Sequence, residues 1–250
     1  MYYGFCSVAL IPCRAEPAER SEMVNQLLFG ETYSVLDENE KWLKIETITD
    51  QYSGWIDRKL HRTISRSELD AFLETKKQVV SQPIFPIESD YGQIHLSFGA
   101  ILPTNETNEF AIGSSLYRLT LPLSTPRLSL SEFSRNFLNA PYLWGGKSLF
   151  GIDCSGFSQV VFRCFGKQIP RDAYQQAEKG ETIQLTDALS GDLAFFGEPD
   201  KKITHVGICL ENGTIIHAAG KCRIDRLDNT GILNEETNNY THQLRLIKRI

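Results

Sequence analysis

The sequence predicts an α+β protein in which two small β modules precede a domain of helices followed by an antiparallel sheet. Short strand-like segments separated by polar turns recur over residues 1–119, whereas helix-length apolar stretches and then strand-like runs fill residues 129–250. Residues 121–126 carry two prolines, which bar a helix or a central strand there. We therefore expect three domains: a β module at 1–62, a helical connector with a second β module at 63–125, and a last domain at 126–250.

The first β module is predicted from short strands at regular spacing. The strand-like segments are Phe5–Ile11, Thr32–Leu36, Trp42–Thr47 and Gly54–Ile56. Polar turns such as Asp37-Glu38-Asn39-Glu40 separate them. Short strands that recur every 8–12 residues or so are typical of a small barrel.

The connector and the second β module follow. A helix-like stretch at 67–73, within residues 64–77, has a serine placed as its N-cap. The pattern then returns to short strands punctuated by Pro and Gly. These segments are Ile94–Phe98, Ala100–Leu102 and Ser115–Leu119. They favour a second small β module.

The last domain begins with two predicted helices. Leu130–Leu138 is the first, with Ser129 or Ser131 as its cap, and Ser155–Phe165 is the second, closed by Gly166. The strand-like segments after them are Leu193–Phe196, Ile203–Leu210 and Thr214–Ala218. Helices followed by an antiparallel sheet make an α+β domain.

Composition and charge limit the range of functions. Of the 250 residues, 41% are hydrophobic and 23% are charged, with a net charge of −5. This balance excludes wholesale disorder and gives no global attraction to nucleic acid or to an anionic membrane. No apolar run approaches the ~18 residues that span a bilayer. We therefore expect no nucleic-acid partner and no membrane partner.

The N-terminal segment and the cysteines indicate the compartment. Residues 1–12 are apolar but short, and no Lys or Arg precedes them, so they predict a first strand rather than a secretory signal. We expect a cytoplasmic protein, or a secreted one if a leader has been removed. The six cysteines form no Cys-x-x-Cys pair, which favours free thiols over a structural zinc site.

Cys154 has a context that points to chemistry. It lies where a loop gives way to the predicted helix at 155–165. A thiol at a helix N-terminus faces the positive end of the helix dipole, which lowers its pKa and favours the thiolate nucleophile. Backbone N–H groups at the same place can stabilise an oxyanion. The alternative is a buried structural cysteine.

A cysteine nucleophile needs a base, and His205 and His217 lie on neighbouring predicted strands. A two-residue Asn-Gly turn would place them on opposite faces. A three-residue loop over 211–213, with Gly213 in the left-handed region, would pair His217 with Gly207 and put both histidines on one face. If both act in catalysis, we expect the three-residue loop, with His205 as base and His217 fixing its tautomer.

Several motifs resemble those of a known family. Residues 141–156, Pro-Tyr-Leu-Trp-Gly-Gly-Lys-Ser-Leu-Phe-Gly-Ile-Asp-Cys-Ser-Gly, resemble the active-site segment of the NlpC/P60 cysteine peptidases. Residues 190–196, 205–208 and 216–218 resemble the family's other signatures, in its order and spacing. The resemblance covers 129–250 and implies a papain-like fold with the triad Cys154, His205 and His217. It also implies that Tyr142 assists the oxyanion site, with packing beside Trp144 as the alternative.

The first 120 residues resemble bacterial SH3-like (SH3b) modules. The matching stretches are Gly30-Glu31, Lys41–Ile45 and Gly54–Ile56. The resemblance implies two small SH3-like β-barrels before the peptidase domain. It also implies that Glu31 and Tyr52 reach the substrate pocket, the alternative being solvated loop residues. Ser53 stands where the family has a proline.

A zwitterionic substrate would need both charges in that pocket. Asp153, beside the nucleophile, is the candidate for a free ammonium, and helix capping is its alternative. Ser155 could hydrogen-bond within the same pocket. Arg171 stands in a Pro-Arg motif that the resemblance assigns to a substrate carboxylate, the alternative being a surface arginine. Asp172 and Ala173 replace the serines that relatives often carry after this arginine.

The resemblance implies a cysteine endopeptidase that hydrolyses the γ-D-glutamyl–diamino acid bond of murein peptides with a free N-terminal L-alanine. It would release L-Ala-γ-D-Glu in cell-wall peptide recycling, as a monomer and with no metal or cofactor. Two alternatives stay open. One is a secreted hydrolase of intact cell wall, and the other is a catalytically silent peptidoglycan-binding protein.

Overall fold

The structure is a computed structural model that describes residues 2–104 and 107–250. Contacts divide the chain into two compact units, residues 1–125 (unit 1) and 126–250 (unit 2). Among the described residues, no helix has the length and apolar character needed to cross a bilayer.

The first half of unit 1 is one antiparallel sheet of seven strands. They are β1 (Tyr2–Phe5), β2 (Leu10–Arg14), β3 (Met23–Leu28), β4 (Thr32–Glu38), β5 (Trp42–Thr47), β6 (Ser53–Asp57) and β7 (Arg62–Ile64). Their order in the sheet is β3-β2-β6-β5-β4-β1-β7. Ile45 on β5 lies opposite Val35 on β4, Leu43 lies opposite Ile56 on β6, and all four share one buried core.

Two details of this sheet differ from the sequence prediction. The single strand expected over residues 5–11 is wrong, because the chain leaves β1 after Phe5 and re-enters a strand at Leu10. Backbone hydrogen bonds from Cys6 to Glu31 and from Gly30 to Cys6 fix that turn. Strand β3 was not predicted, since Asn25 and Gln26 interrupt its apolar pattern although both are buried.

The second half of unit 1 starts with helix α1 (Arg66–Glu74). Ser65 caps it, with Glu68 completing a capping box, so the predicted helix and its serine cap are confirmed. Leu69 and Phe72 are its buried face. The strands that follow are β8 (Lys77–Val79), β9 (Phe85–Ser89), β10 (Gly92–Leu96), β11 (Ile101–Pro103), β12 (Glu109–Ile112) and β13 (Ser115–Leu119). They form a sheet of order β10-β9-β13-β12 and a separate β8–β11 pair.

The helices of unit 2 precede most of its strands. They are α2 (Leu130–Ser134), α3 (Cys154–Cys164) and α4 (Ala173–Gln176). Ser129 caps α2, which ends in a 3-10 turn at Arg135–Phe137, so the helix expected over 130–138 is only partly α-helical. Every residue of α3 is buried, as expected for a central helix.

Six strands of unit 2 close into a barrel. The strands of this unit are β14 (Lys147–Ser148), β15 (Gly151–Ile152), β16 (Glu181–Ile183), β17 (Leu193–Phe196), β18 (His205–Cys209), β19 (Thr214–Ala219), β20 (Lys221–Leu227), β21 (Gly231–Asn234) and β22 (Asn239–Arg249). From β17 to β21 each strand pairs with the next, and β22 pairs with both β21 and β17. Strands β17, β18 and β19 were predicted, whereas strands β20, β21 and β22 were not.

One buried cluster fills this barrel, and each of the six strands contributes to it. Its members include Ala194, Phe196, Cys209, Ile215, Leu227, Ile232 and Ile247. Helix α3 packs against β18 and β19. The barrel therefore has an apolar interior, and α3 is held beside the two strands that carry the predicted histidines.

Barrel closure depends on Gly231, at the β21–β22 pairing. Its φ is +146°, and a Cβ there would overlap the carbonyl oxygen of His242. We expect Gly231→Ala to lower the free energy of unfolding by about 3 kcal/mol, because the strand must move away from its partner. Denaturant unfolding measures the change.

Gly166→Ala is the matched control for that substitution. Gly166 also has a positive φ, +73°, but a Cβ there would meet no atom of the described residues within 4 Å. Its cost should be about 1 kcal/mol, the conformational part alone. Equal losses in the two variants would contradict a role for close strand approach at Gly231.

Candidate active site

Cys154 is the first residue of α3, and the preceding loop is folded tightly against it. Asp153 is the N-cap, and its Oδ1 accepts a 2.6 Å hydrogen bond from the backbone N–H of Gly156. Gly156 must be a glycine, since a Cβ would overlap the carbonyl oxygen of Gly146 in the loop. Cys154 is only 5% exposed. The candidate nucleophile therefore lies at a helix N-terminus, as predicted, but is buried.

Tyr142 lies in the same loop. Its backbone forms a bridge to Ile152 and donates a 2.9 Å hydrogen bond to the carbonyl of Gly220. Burial raises the pKa of its phenol, and the charges of nearby Cys154 and Asp153 raise it further. The structure therefore brings Tyr142 into the electrostatic environment of Cys154, and its hydroxyl keeps its proton.

The two predicted histidines lie on one face of the β18–β19 hairpin. Leu210 N–H bonds to Thr214 across the three-residue loop, Gly213 has a φ of +66°, and His217 pairs with Gly207. His205 Nε2 and His217 Nδ1 are 2.8 Å apart. The predicted loop and register are confirmed.

Gly207 makes room for this contact. A Cβ at Gly207 would lie 2.9 Å from the Cβ of His217 and 2.7 Å from Ile215 Cδ1. A side chain there would have to push His217 away. Because Gly207, which pairs with His217 two residues after His205, has no side chain, the two imidazole rings can stay in contact.

Asp225 extends the histidine pair and was missed by the sequence analysis. His217 Nε2 lies 3.0 Å from Asp225 Oδ2, and both side chains are 1% exposed. Arg223 also donates to both carboxylate oxygens, at 2.7 and 2.9 Å. The available signal was the alternation Arg223-x-Asp225 on a strand facing His217, but that strand was not predicted.

This chain of contacts assigns the tautomers. Burial alone would raise the pKa of Asp225, but hydrogen bonds from His217, Arg223 and the backbone of Glu235 lower it to about 2. The ionised carboxylate can only accept, so His217 donates from Nε2 and accepts at Nδ1. His205 must then donate from Nε2, which leaves the lone pair on its Nδ1. His205 Nδ1 is therefore the atom that can act as a base.

The resting thiol is neutral, contrary to the sequence prediction. Burial raises the pKa of Cys154 to about 12, the Asp153 charge adds to the effect, and N–H groups of Val206 and Ser155 only partly oppose it. Burial, followed by the charges of His242 and His217, holds the pKa of His205 well below 6.5. The predicted lowering at the helix N-terminus is wrong, because desolvation exceeds the helix contribution.

Asp153, Ser155 and Arg171 form one buried cluster close to the nucleophile. Arg171 donates to both carboxylate oxygens of Asp153, at 3.0 and 2.5 Å, and to Ser155 Oγ at 2.9 Å. The side chains of Arg171 and Asp153 are 1% and 7% exposed. The structure thus brings together three predicted substrate residues, and the two with opposite charges bind each other. The surface-arginine alternative for Arg171 is wrong.

Glu31 and Tyr52 lie in unit 1. Glu31 is 2% exposed, and its Oε2 accepts a 2.6 Å bond from Leu28 N–H. Tyr52 is half-buried, with its hydroxyl 3.4 Å from the carbonyl of Val24. A solvated loop position is therefore wrong for Glu31, and the substrate roles of both residues stay predictions.

His242, on β22, is a second residue that the sequence analysis missed. Its ring stacks on His205 with 4.0 Å between centroids and 24° between planes, and its Nδ1 is 2.9 Å from Thr241 Oγ1. Burial and the charge of His217 lower its pKa to about 4. His242 also lines a cleft of about 500 Å³ together with Thr204.

Two family models match the chain. The NlpC/P60 family model matches residues 139–241, and the model described as bacterial dipeptidyl-peptidase Sh3 domain matches residues 13–59. The matched ranges include Cys154, His205 and His217 in the first case and Glu31 and Tyr52 in the second.

Similar proteins agree with the two family matches. A gamma-D-glutamyl-L-lysine dipeptidyl-peptidase of Bacillus subtilis is 32% identical over 217 residues, which cover 77% of this chain and 71% of that protein. One of the same name from Bacillus cereus is 25% identical, covering 79% and 68%. The crystal structure of an NlpC/P60 family protein from Bacillus cereus has the same fold, with a TM-score of 0.80 at 20% identity over 99% of both chains.

The neutral resting state predicts how Cys154 reacts with iodoacetamide. Since its pKa is raised to about 12, the thiolate fraction is small near neutral pH and grows about tenfold per pH unit in the alkaline range. We expect the alkylation rate, followed by peptide mass spectrometry, to rise steadily with pH. His205→Ala reports the profile of the thiol without its base. A rate plateau from mildly acidic pH upwards would instead show a thiolate–imidazolium pair.

Proposed function

The chain belongs to the NlpC/P60 family of cysteine peptidases, and we propose that it cleaves the γ-D-glutamyl–diamino acid bond of murein peptides that carry a free N-terminal L-alanine. The observation that supports this most directly is the buried Asp153–Arg171 pair next to Cys154, whose thiol interacts with the Val206 N–H, the residue after His205 in the hydrogen-bonded His205–His217–Asp225 chain. The names of the two Bacillus relatives point to the same bond class. The released product would be L-Ala-γ-D-Glu.

The proposed chemistry follows from the assigned tautomers. His205 Nδ1 takes the proton of Cys154 as the sulfur attacks the γ-carbonyl carbon of D-glutamate. The imidazolium that forms is stabilised through His217 by the buried carboxylate of Asp225. His205 then gives the proton to the leaving amine, and water hydrolyses the thioester with His205 again as base. Because Cys154 and His205 are both neutral at rest, the transfer of one proton from the thiol to His205 is enough to start the reaction.

The oxyanion would form at the N-terminus of α3. The backbone N–H of Cys154 belongs to the first turn of that helix, where N–H groups lack intrahelical partners. Tyr142 supplies a second donor, because its raised pKa keeps the hydroxyl protonated. Hydrogen-bond donors that are already oriented towards the developing oxyanion usually give the largest stabilisation of the transition state in such a step. We propose both groups as the oxyanion site.

The Asp153–Arg171 pair suits a zwitterionic dipeptide. A free L-Ala ammonium needs an anion, and the D-Glu α-carboxylate needs a cation, at neighbouring positions. In the structure each charge satisfies the other, so neither is left buried and unpaired before substrate binds. We propose that the substrate's two charges join this pair, with Asp153 facing the ammonium and Arg171 the carboxylate. Ser155 links the two through hydrogen bonds to both.

The proposal also covers the fold types of the two units, the cellular compartment and the oligomeric state. The closed barrel packed on α3 supports a papain-like assignment for unit 2. The Sh3 match and the separate sheet formed by β9, β10, β12 and β13 support two SH3-like modules in unit 1. We also propose a cytoplasmic monomer acting in cell-wall peptide recycling, since a free N-terminal L-alanine occurs on released peptides rather than on intact wall.

A digest of two peptides tests the substrate assignment. L-Ala-γ-D-Glu-L-Lys and its N-acetylated analogue are incubated with the protein and followed by mass spectrometry. We expect release of L-Ala-γ-D-Glu from the free peptide alone, because acetylation removes the charge that Asp153 would bind. Equal cleavage of both would overturn the ammonium pocket and favour a wall hydrolase. Cleavage of neither would favour the peptidoglycan-binding alternative.

Asp225→Asn tests the extended histidine chain. An amide cannot hold His217 in one tautomer as an ionised carboxylate does, so we expect kcat/KM for the free peptide to fall at least about tenfold. KM should change little if Asp225 acts only through His217. Asp228→Asn is the matched control, since Asp228 bonds to Tyr240 instead of to a histidine. A thermal melt excludes loss of fold as the cause, and an unchanged kcat would show that Asp225 has no positioning role.

A further inference from the structure

Three imidazoles meet at one end of the barrel. His205, His217 and His242 lie on strands β18, β19 and β22. One ring nitrogen from each lies within 4.8 Å of the other two, and the shortest separation, His205 Nε2 to His217 Nδ1, is 2.8 Å. The reaction proposed above uses two of these rings and leaves the third without a chemical role.

We propose that His205, His217 and His242 form a binding site for a divalent transition-metal ion of the Zn²⁺ type, and that occupation of this site switches the peptidase off. Imidazole nitrogen is a preferred ligand of Zn²⁺ and of its spectroscopic substitute Co²⁺. The site itself follows from the geometry of the cluster. Only its consequence for activity rests on the proposed function.

The donor atoms follow from the hydrogen bonds of the cluster. His217 already presents the lone pair of Nδ1, because its Nε2–H is donated to Asp225. His242 has Nδ1 beside Thr241 Oγ1, so Nε2 is its ligand atom. His205 presents Nε2 once its proton moves from Nε2 to Nδ1, a change of tautomer with no net gain or loss of protons. Three neutral nitrogen ligands result.

Asp225 supplies the support that such sites use. Metal-bound histidines usually donate their other ring N–H to a carboxylate, which orients the ring and makes it a better ligand. His217 has this arrangement, with Asp225 at 3.0 Å and Arg223 also donating to that carboxylate. This contact is independent of the clustering of the three rings.

The ion can be accommodated by small movements. Zn–N distances of about 2.0–2.1 Å place two tetrahedral ligands roughly 3.3 Å apart, so His205 Nε2 and His217 Nδ1 need to separate only slightly from 2.8 Å. His242 must swing out of its stack on His205 to bring Nε2 closer. It is half-buried and lines the cleft of about 500 Å³, which gives room for the swing.

Metal binding would remove the base in two ways. The ion takes the place of the hydrogen bond between His205 and His217, so the Asp225 charge no longer supports His205 as a proton acceptor. The proton moved to His205 Nδ1 also occupies the atom that would accept the proton of Cys154. Inhibition should therefore act on proton transfer from the thiol, whichever peptide is bound.

A Co²⁺ titration tests the site without any substrate. The full chain carrying Cys154→Ser is titrated with Co²⁺, and the visible absorption of a tetrahedral complex is recorded, followed by displacement with Zn²⁺. We expect one ion per chain in this protein. His242→Phe in the same background should weaken Co²⁺ binding at least about tenfold, since it removes one ligand. Phe keeps a flat ring in the stack, and His95→Phe, an exposed histidine of unit 1, is the matched control.

Each outcome distinguishes the three-histidine site from metal binding elsewhere on the chain. Loss of Co²⁺ binding on Cys154→Ser with no effect of His242→Phe would place the ion on the thiol and overturn the three-histidine site. Equal weakening by His95→Phe would show scattered surface binding and overturn it too. Zn²⁺ inhibition of the chain with Cys154 intact, relieved by a chelator and weakened in His242→Phe, would support the switch. Co²⁺ binding together with no cleavage of any peptide would leave the site standing and reject the proposed function.

Discussion

The buried hydrogen-bond chain Asp225–His217–His205 of unit 2 is the interaction on which the candidate site depends. Its far end is an ionised carboxylate fixed by Arg223, which can only accept protons. That single fact sets the tautomer of His217 and then of His205. The lone pair on His205 Nδ1 is thus a consequence of a residue two side chains away.

The barrel is what makes this chain possible. Side chains alternate along each strand, so His205 shares the inner face with Cys209, His217 with Ile215, and Asp225 with Leu227. Closure between β21 and β22 adds His242 to the same interior, because it pairs with Ile232. The polar residues of the site therefore lie on the same inner face of the barrel as the apolar cluster. Polar groups packed in such an interior hold one arrangement, since few alternatives keep them all hydrogen-bonded.

Burial decides the charge state of the nucleophile. The helix N-terminus and two backbone N–H groups favour the thiolate, but removal of Cys154 from water outweighs them. His205, buried beside two other imidazoles, resists protonation for the same reason. The resting pair is consequently neutral, and charge separates only when the thiol attacks. The same desolvation favours pairing of Asp153 with Arg171, since either charge alone would be unstable there.

Short-range features could be predicted from the sequence: the nucleophile at the start of α3, a serine cap on α1 and on α2, and, if both histidines are catalytic, the three-residue loop that sets His205 beside His217. These follow from short-range patterns, in which propensity, spacing and turn residues act over a few positions. The folded chain was needed to show that Asp225 and His242 join the site, that Asp153 and Arg171 bind each other, and that the thiol is neutral. Each of these results from long-range strand pairing or from burial. A local pattern carries no information on either, because both depend on what the rest of the chain places around a residue.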